Sequence, residues 1–579
     1  MTRKIITSAL PYPNGPLHLW HIAWVYLPAD IYFRFCKLMG DDVIHICGTD
    51  DHGVALEIAS EKYGKSISEL VSEYRNSYKN GMKKMGIDFT IFYGTDTPQH
   101  EEVAHQFFHA LYDQWLLEKR TINQMYCLDC QKFLPDRYIT GTCPKCKNSG
   151  ANWDQCEKCG SMLDPEQLID PHCKTCGWNN LEMRSSDHLF FLLNKFEDRL
   201  KDWLETKIDW KSNVISTSLY KRIKDSLQPR NYTRDIKSGI SIPLEEFKNK
   251  TIYVWFEAPL GYISIAKKYF EDSWNSSLFD SYWHDPSTQL IQFIWKDNIV
   301  FHSIIRPALL MAYNDNHIWD NKKQYLLPTN IPANEFLNLE GKKFSTSRWW
   351  AVRLDDMVAN YDPDFVRYYL SWVIPENQDS DFKWLEFQDR CNHLADSLWN
   401  LFNRVINLSI KYLNWQFVWQ TKTELDKLPF TYKEMTSTFV DQIWFLHEQI
   451  VSLLKEYKFR EWLAKLLELF ALWNKFVDDT KPRELAKTDL ESTKTILHLL
   501  WWYLACVSQT ISPYLPFTSR KMSDILIETS SGANYQDIWK KMDSFTFKHI
   551  AAKPDILFTK ITDEQIVSEL EKLSQIENT

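Results

Sequence analysis

Eight of the twelve cysteines in this 579-residue chain fall within one window as four CxxC pairs: Cys127/Cys130, Cys143/Cys146, Cys156/Cys159 and Cys173/Cys176. No other stretch restricts the fold so much. Two cysteines separated by two residues form a knuckle whose thiolates can face one ion, and two knuckles complete a tetrahedral S4 site. Four knuckles allow two structural zinc sites, or one with a degenerate second set. Disulfides and buried free thiols are the alternatives. A reducing compartment disfavours the first, and regular pairing argues against the second. Cys143, Cys146, Cys156 and Cys159 are the inner, simpler closure, while Cys127, Cys130, Cys173 and Cys176 must meet across it. A closed S4 site has no open position, so it holds a fold and performs no hydrolysis.

The flanking sequence marks this module as an insertion. Before it, residues 4–110 alternate short β-rich runs ("KIITSAL", "DDVIHICGTDDHG") with a helical pattern ("YLPADIYFRFCKLMG"). That is βαβ logic, which places ligand chemistry at the carboxyl ends of parallel strands. After it, strand-like runs return over about 231–325 ("TIYVWFEAP", "LIQFIWKDNIVF"), and from about 386 long amphipathic helical patterns dominate. Such a length implies several domains. The longest apolar run, Ile496–Val507, contains His498 and is too short for a bilayer span, so it reads as a buried bundle helix. No secretory signal opens the chain. A cytoplasmic protein without a membrane segment is expected. The net charge of −9 neither suggests nor excludes a polyanionic partner.

Two further motifs carry chemistry. His18 and His21, in "HLWHIAW", stand at i and i+3 where a helix should begin, so both can face a phosphate chain near the positive helix end. "GKKFSTSR" (Gly341–Arg348) offers lysines and hydroxyls for charge developing on a triphosphate. Alone, an HxxH pair is ordinarily a surface accident and a Lys/Ser loop is ordinarily just solvated.

Together with the cysteine insertion and in this order, the motifs resemble methionyl-tRNA synthetases, which are class I aminoacyl-tRNA synthetases. "ALPYPNGPLHLWH", "CGTDDHG", "CLDCQKFLPDRYITGTCPKC", "YVWFEAPLGYIS", "KDNIVFH", "PANEFLNLEGKKFSTSR" and "PENQDSDFKW" carry the likeness, from residue 4 to about 570. The resemblance implies an α/β fold: a split Rossmann-type catalytic domain (1–116 and 231–325) with a zinc-knuckle connective insertion (117–230). A stem-contact segment (326–385) and an α-helical anticodon-binding domain (386–579) would follow. It implies that methionine and MgATP give methionyl-adenylate, whose acyl group passes to tRNA(Met). His18, His21 and Lys343, with Ser345 and Ser347, match the ATP signatures. Asp50 matches the carboxylate that holds the substrate ammonium. Leu10, Tyr12, Trp255, Ala258, Pro259, Tyr262 and His302 match the side-chain pocket, a set suited to a polarizable thioether. Asn403, Asn407 and Arg483 match positions expected to meet the anticodon. The extra C-terminal OB-type module of some relatives is not seen, which points to a monomer.

Three features depart from the family pattern. Thr346 replaces a second signature lysine. Arg483 stands where a tryptophan usually stacks on a base. The third is chain-wide: Trp20, Trp115, Trp153, Trp295 and Trp399, with Trp24 and Trp372 as further candidates, fall where the family has glycine. The chain holds 16 glycines and 25 tryptophans. Their sum is about 7% of the chain, the share glycine alone holds in typical proteins. Codons UGA, read here as tryptophan but as glycine by the cell's own genetic code, would explain both observations. The rival reading is a non-catalytic RNA-binding paralogue whose ATP site Trp20 blocks. In that case an intact set of other signature residues is hard to account for.

Overall fold

The structure, a computed structural model, describes residues 2–134, 138–152, 168–320, 323–344, 350–413, 425–530, 535–539, 545–547 and 556–577. Five parallel strands form its central sheet: β1 (Arg3–Ser8), β2 (Asp42–Thr49), β3 (Ile91–Gly94), β4 (Gln289–Trp295) and β5 (Ala333–Asn334). Their spatial order is β5-β4-β1-β2-β3. A parallel sheet is covered on both faces, so its inner strands are apolar without alternation. Leu290 to Ile294 on β4 and Ile5 and Ile6 on β1 are accordingly buried. Ile5 registers with Ile44 on one side and Leu290 on the other. The chain winds outward from β1 to β3, then returns to the opposite side of β1 as β4. Strand order therefore reverses between β1 and β4, the place where ligands bind such sheets.

The insertion leaves the sheet through one long antiparallel ribbon. It pairs continuously from Leu117↔Phe191 to Cys127↔Leu181, so the first and last cysteine knuckles share its tip. Beyond β5, Leu337–Leu339 and Lys342–Lys343 form a hairpin turning at Glu340 (φ 47°) and Gly341 (φ 75°). Positive φ at both central residues is what a two-residue hairpin turn requires.

The sequence expects a strand through "TIYVWFEAP", and here the structure differs. Only Thr251–Ile252 is extended; Val254–Glu257 is helical and leads through Pro259 into the helix Gly261–Asp272. β-branched and aromatic composition gives way because Pro259 suits a helix's first turn and the segment packs over the sheet rather than in it.

The C-terminal part is a helical bundle. Its helix Leu490–Thr510 buries every residue from Ile496 to Val507, each large aliphatic side chain contributing about 2 kcal/mol. Among the described residues no helix is long and apolar enough to cross a membrane. Buried Arg367 joins bundle and sheet. Its guanidinium donates to the carbonyls of Pro513 and Tyr514 and pairs with buried Asp30 at 2.7 Å.

Candidate active site

One pocket opens where β1 and β4 part. It is lined by Leu10, Tyr12, Asp50, Trp255, Ala258, Pro259, Tyr262 and His302, together with Trp295 and Asn298, and measures about 360 Å³ including space open to solvent. The topology explains the convergence. Leu10 and Tyr12 follow β1, Asp50 follows β2 directly, Trp295 ends β4, and Asn298 and His302 follow it. His302 sits in a five-residue π-turn, Phe301–Ile305, of the kind that recurs at functional sites. All eight residues that the sequence assigned to one pocket therefore meet in one pocket. Trp295 and Asn298 were not assigned to it, although both lie in or beside the quoted "KDNIVFH" motif.

The pocket is apolar with one acidic exception. The Trp255 indole stacks on Phe301 at 3.9 Å between ring centres. His302 Nδ1 lies 3.0 Å from the Asn298 carbonyl, which can only accept. Nδ1 therefore carries the proton, and Nε2 accepts from the Tyr262 hydroxyl at 2.9 Å. Burial holds the His302 pKa down to about 4, so the ring is neutral. Asp50 is buried, and its Oδ1 has no hydrogen-bond partner. Burial, then the Glu257 and Asp51 carboxylates, push its pKa well above the usual range. A buried carboxylate oxygen without a donor is costly and invites a cationic ligand.

Behind Asp50 lies a network that sequence reasoning missed. Glu257 accepts from His52 at 3.0 Å and from His100 at 2.6 Å, and His100 also reaches Ser264 at 2.8 Å. Burial opposes ionisation of Glu257, but the two imidazoles outweigh it and hold its pKa down at about 2. His52 was visible in "TDDHG"; His100 sits in no motif that would have exposed it.

The nucleotide signatures also meet. His18 precedes the helical turn Leu19–His21, which continues as a π-turn over Ile22–Tyr26. The His18 N–H donates to His21 Nδ1 at 3.2 Å, and the two ring centres are 5.9 Å apart. A short bridge ties this turn to the chain just beyond the lysine loop: Leu19 N–H donates to the Val352 carbonyl at 3.0 Å and Leu354 N–H to the Leu17 carbonyl at 2.9 Å. Lys342 and Lys343 are both exposed on their hairpin. Ser345, Thr346, Ser347 and Arg348 lie outside the described residues. Burial, then Arg353, lowers the His18 pKa to about 4; burial, then His18, lowers that of His21 to about 3.

Trp20 lies between these signatures. Its indole stacks on His18 at 4.4 Å and 4° and packs against Phe344, next to Lys343, at 4.7 Å. Trp24 follows at 6.1 Å from Trp20, and Trp295, at the pocket wall, at 6.1 Å from Trp24. A row of indoles thus runs from the first signature to the pocket.

In the insertion, the Sγ atoms of Cys127, Cys130, Cys173 and Cys176 all lie within 4.8 Å of one another. Cys127–Cys176 and Cys130–Cys173 are separated by 3.7 and 3.8 Å. A tetrahedral site with metal–sulfur bonds of about 2.3 Å has sulfur–sulfur edges of about 3.8 Å, so these four fit a metal. The outer set does meet across the inner one. Of the inner set, Cys156 and Cys159 lie outside the described residues, as does Trp153.

In the bundle, Asn403 and Asn407 share one face of the helix Asn400–Tyr412, bonded to each other at 3.0 Å. Arg404 crosses to Asp478 on the helix Phe459–Thr480, whose end leads into exposed Arg483.

Residues 4–406 match the family described as "tRNA synthetases class I (M)", and residues 431–578 match "Anticodon binding domain of methionyl tRNA ligase". The methionine–tRNA ligase of Christiangramia forsetii is 39% identical over 580 residues, spanning 99% of this chain and 81% of that protein. That of Pyrococcus horikoshii is 39% identical over 573 residues, spanning 98% and 77%. Methionyl-tRNA synthetase of Mycobacterium tuberculosis, solved bound by methionyl-adenylate, shares the fold with a TM-score of 0.75 at 20% identity, over 96% of this chain and 100% of that one. These matches make the chain a class I aminoacyl-tRNA synthetase, with the sheet and switch point that such a fold requires. Within that class, the chain belongs to the methionyl-tRNA synthetase family.

Proposed function

We propose that this chain activates methionine with ATP and transfers the methionyl group to tRNA(Met). A methionine carboxylate oxygen attacks the α-phosphorus of ATP, and pyrophosphate leaves with the electron pair of the broken P–O bond. A ribose hydroxyl of the tRNA's terminal adenosine then attacks the adenylate carbonyl, and AMP leaves. The observation that carries this reading is the orphaned Asp50 Oδ1 at the floor of an otherwise apolar pocket. An ammonium there satisfies the carboxylate, while Trp255, Pro259 and Tyr262 surround an apolar side chain. His302 and Tyr262 present neutral groups, which suit a thioether.

His18, His21 and Lys343, with Ser345 and Ser347, are assigned to the triphosphate of MgATP, where positioning and charge stabilisation matter more than a protein nucleophile. Both histidines are neutral in the free site above about pH 4. The imidazole resonances of His18 and His21, followed by NMR in the free protein, are therefore expected to show no ionisation between about pH 6 and 8. A midpoint near the ordinary histidine value of about 6.5 would contradict this.

Asn403, Asn407 and Arg483 are assigned to anticodon contact, since amide and guanidinium groups can read or stack on bases. Zinc is the metal assigned to Cys127, Cys130, Cys173 and Cys176, with a structural role only. Cys173→Ser is expected to lower zinc content by one ion per chain and to open the ribbon tip to protease while the central sheet survives. Unchanged zinc content would remove the site. A cytoplasmic monomer is the form expected.

Charging of tRNA(Met) with labelled methionine, by the chain carrying Trp20 and by its Trp20→Gly form, tests the function. RNA binding at neutral pH without charging by either form would favour the non-catalytic alternative, whose support is the Trp20 indole between the signatures.

A further inference from the structure

Two tryptophans occupy backbone positions that call for glycine. The helix Pro98–Asp113 ends with Trp115 at φ 56°, where Trp115 N–H donates to the Tyr112 carbonyl at 3.0 Å and Leu116 N–H to the Leu111 carbonyl at 3.0 Å. The helix Gly261–Asp272 ends the same way. Trp274 has φ 56°, its N–H donates to Glu271 at 3.0 Å, and Asn275 N–H donates to Phe270 at 2.9 Å. This bond pair around one left-handed residue is the Schellman motif, whose left-handed position glycine usually fills because it has no Cβ to clash.

The chain provides its own comparison. Gly40 (φ 82°) and Gly86 (φ 69°) close two other helices with the same bonds: Gly40 to Lys37 and Asp41 to Cys36, then Gly86 to Lys83 and Ile87 to Met82. A side chain at such a position can be compensated by packing. Tyr457, at φ 59°, sits in the same bond pair, its N–H donating to Leu454 and the Lys458 N–H to Leu453, and its ring lies 4.8 Å from that of Tyr32. Trp115 and Trp274 have no such compensation, being 84% and 95% exposed. Each combines backbone strain with an indole left in water.

Other tryptophans are placed where a large apolar ring is buried. Trp384, Trp462 and Trp473 are at most 1% exposed in the core. The tryptophans thus include two populations, one explained by burial and one placed as glycine would be. Trp20 is buried and its φ is not left-handed; the glycine of the resembled signature, rather than its backbone, groups it with the second.

We propose that positions 20, 115 and 274 are encoded by UGA and are glycine in the protein as its own cell makes it. UGA is assigned to tryptophan in one genetic code and to glycine in another, so one reassignment accounts for all three positions and moves the glycine count toward its usual share. With glycine there, both helix ends become ordinary Schellman caps, and the space between His18 and Phe344 opens.

The test is mass spectrometry of tryptic peptides from the protein isolated from its native cells, read beside the gene sequence. Expected are UGA codons at 20, 115 and 274, with each covering peptide lighter than the tryptophan version by the tryptophan-to-glycine difference. Peptides covering Trp384, Trp462 and Trp473 should carry tryptophan from UGG. UGG at 115 or 274, or tryptophan mass at a UGA position, overturns the proposal. Neither result depends on whether the protein charges tRNA.

Discussion

A Trp20→Gly form of this chain is expected to run methionine-dependent ATP–pyrophosphate exchange at least about 10²-fold faster than the form with tryptophan. Misplacement of reacting groups by about 1 Å already costs about that much. The indole is far larger than that tolerance, and it is held in place: it is 8% exposed and contacts His18, His21, Trp24 and Phe344. The His18–Trp20 stack at 4.4 Å also pins the imidazole whose in-plane ring nitrogens would meet a phosphate chain. Removing it uncovers His18, whose Nδ1 is buried and unpartnered. Stability should fall with the change, because a buried aromatic contributes about 3–5 kcal/mol, so exchange is compared at equal folded concentration. Equal rates for the two forms would show that the indole does not obstruct ATP.

Asp50→Asn is expected to raise KM for methionine by about 30- to 300-fold, with a smaller effect on kcat and none on KM for ATP. Breaking one side of a buried charge pair costs about 2–5 kcal/mol, at about 1.4 kcal/mol per tenfold. The effect should fall toward the lower end of that range. Burial, Glu257 and Asp51 hold the free Asp50 pKa well up, so part of the ammonium's attraction is spent ionising the carboxyl. Since the ammonium is held equally in ground and transition states, the loss appears mainly in KM. Loss confined to kcat would instead place Asp50 at the reacting atoms. Asparagine keeps the shape, so the change separates charge from packing.

Much of this was legible in the sequence, and for identifiable reasons. Leu10, Tyr12, Asp50 and His302 were legible through the motifs that resemble the family; their places just beyond strand ends explain why they converge. The outer cysteines were legible as knuckles, but their meeting depended on a ribbon pairing from Leu117 to Cys127 that local pattern does not reveal. The His52–Glu257–His100 network joins residues up to 205 apart in the chain, which spacing alone cannot bring together. "TIYVWFEAP" misled because its β-forming composition yields to a helix fixed by tertiary packing and Pro259. Trp274 went unnoticed because a left-handed helix end is a backbone property; only its φ and its exposure set it apart.

The central claim is that the pocket selects methionine for activation. The most direct measurement is ATP–pyrophosphate exchange by the Trp20→Gly protein, with each standard amino acid offered singly. Methionine alone should support exchange at a substantial rate. Exchange driven better by another amino acid, or by none, would contradict the account.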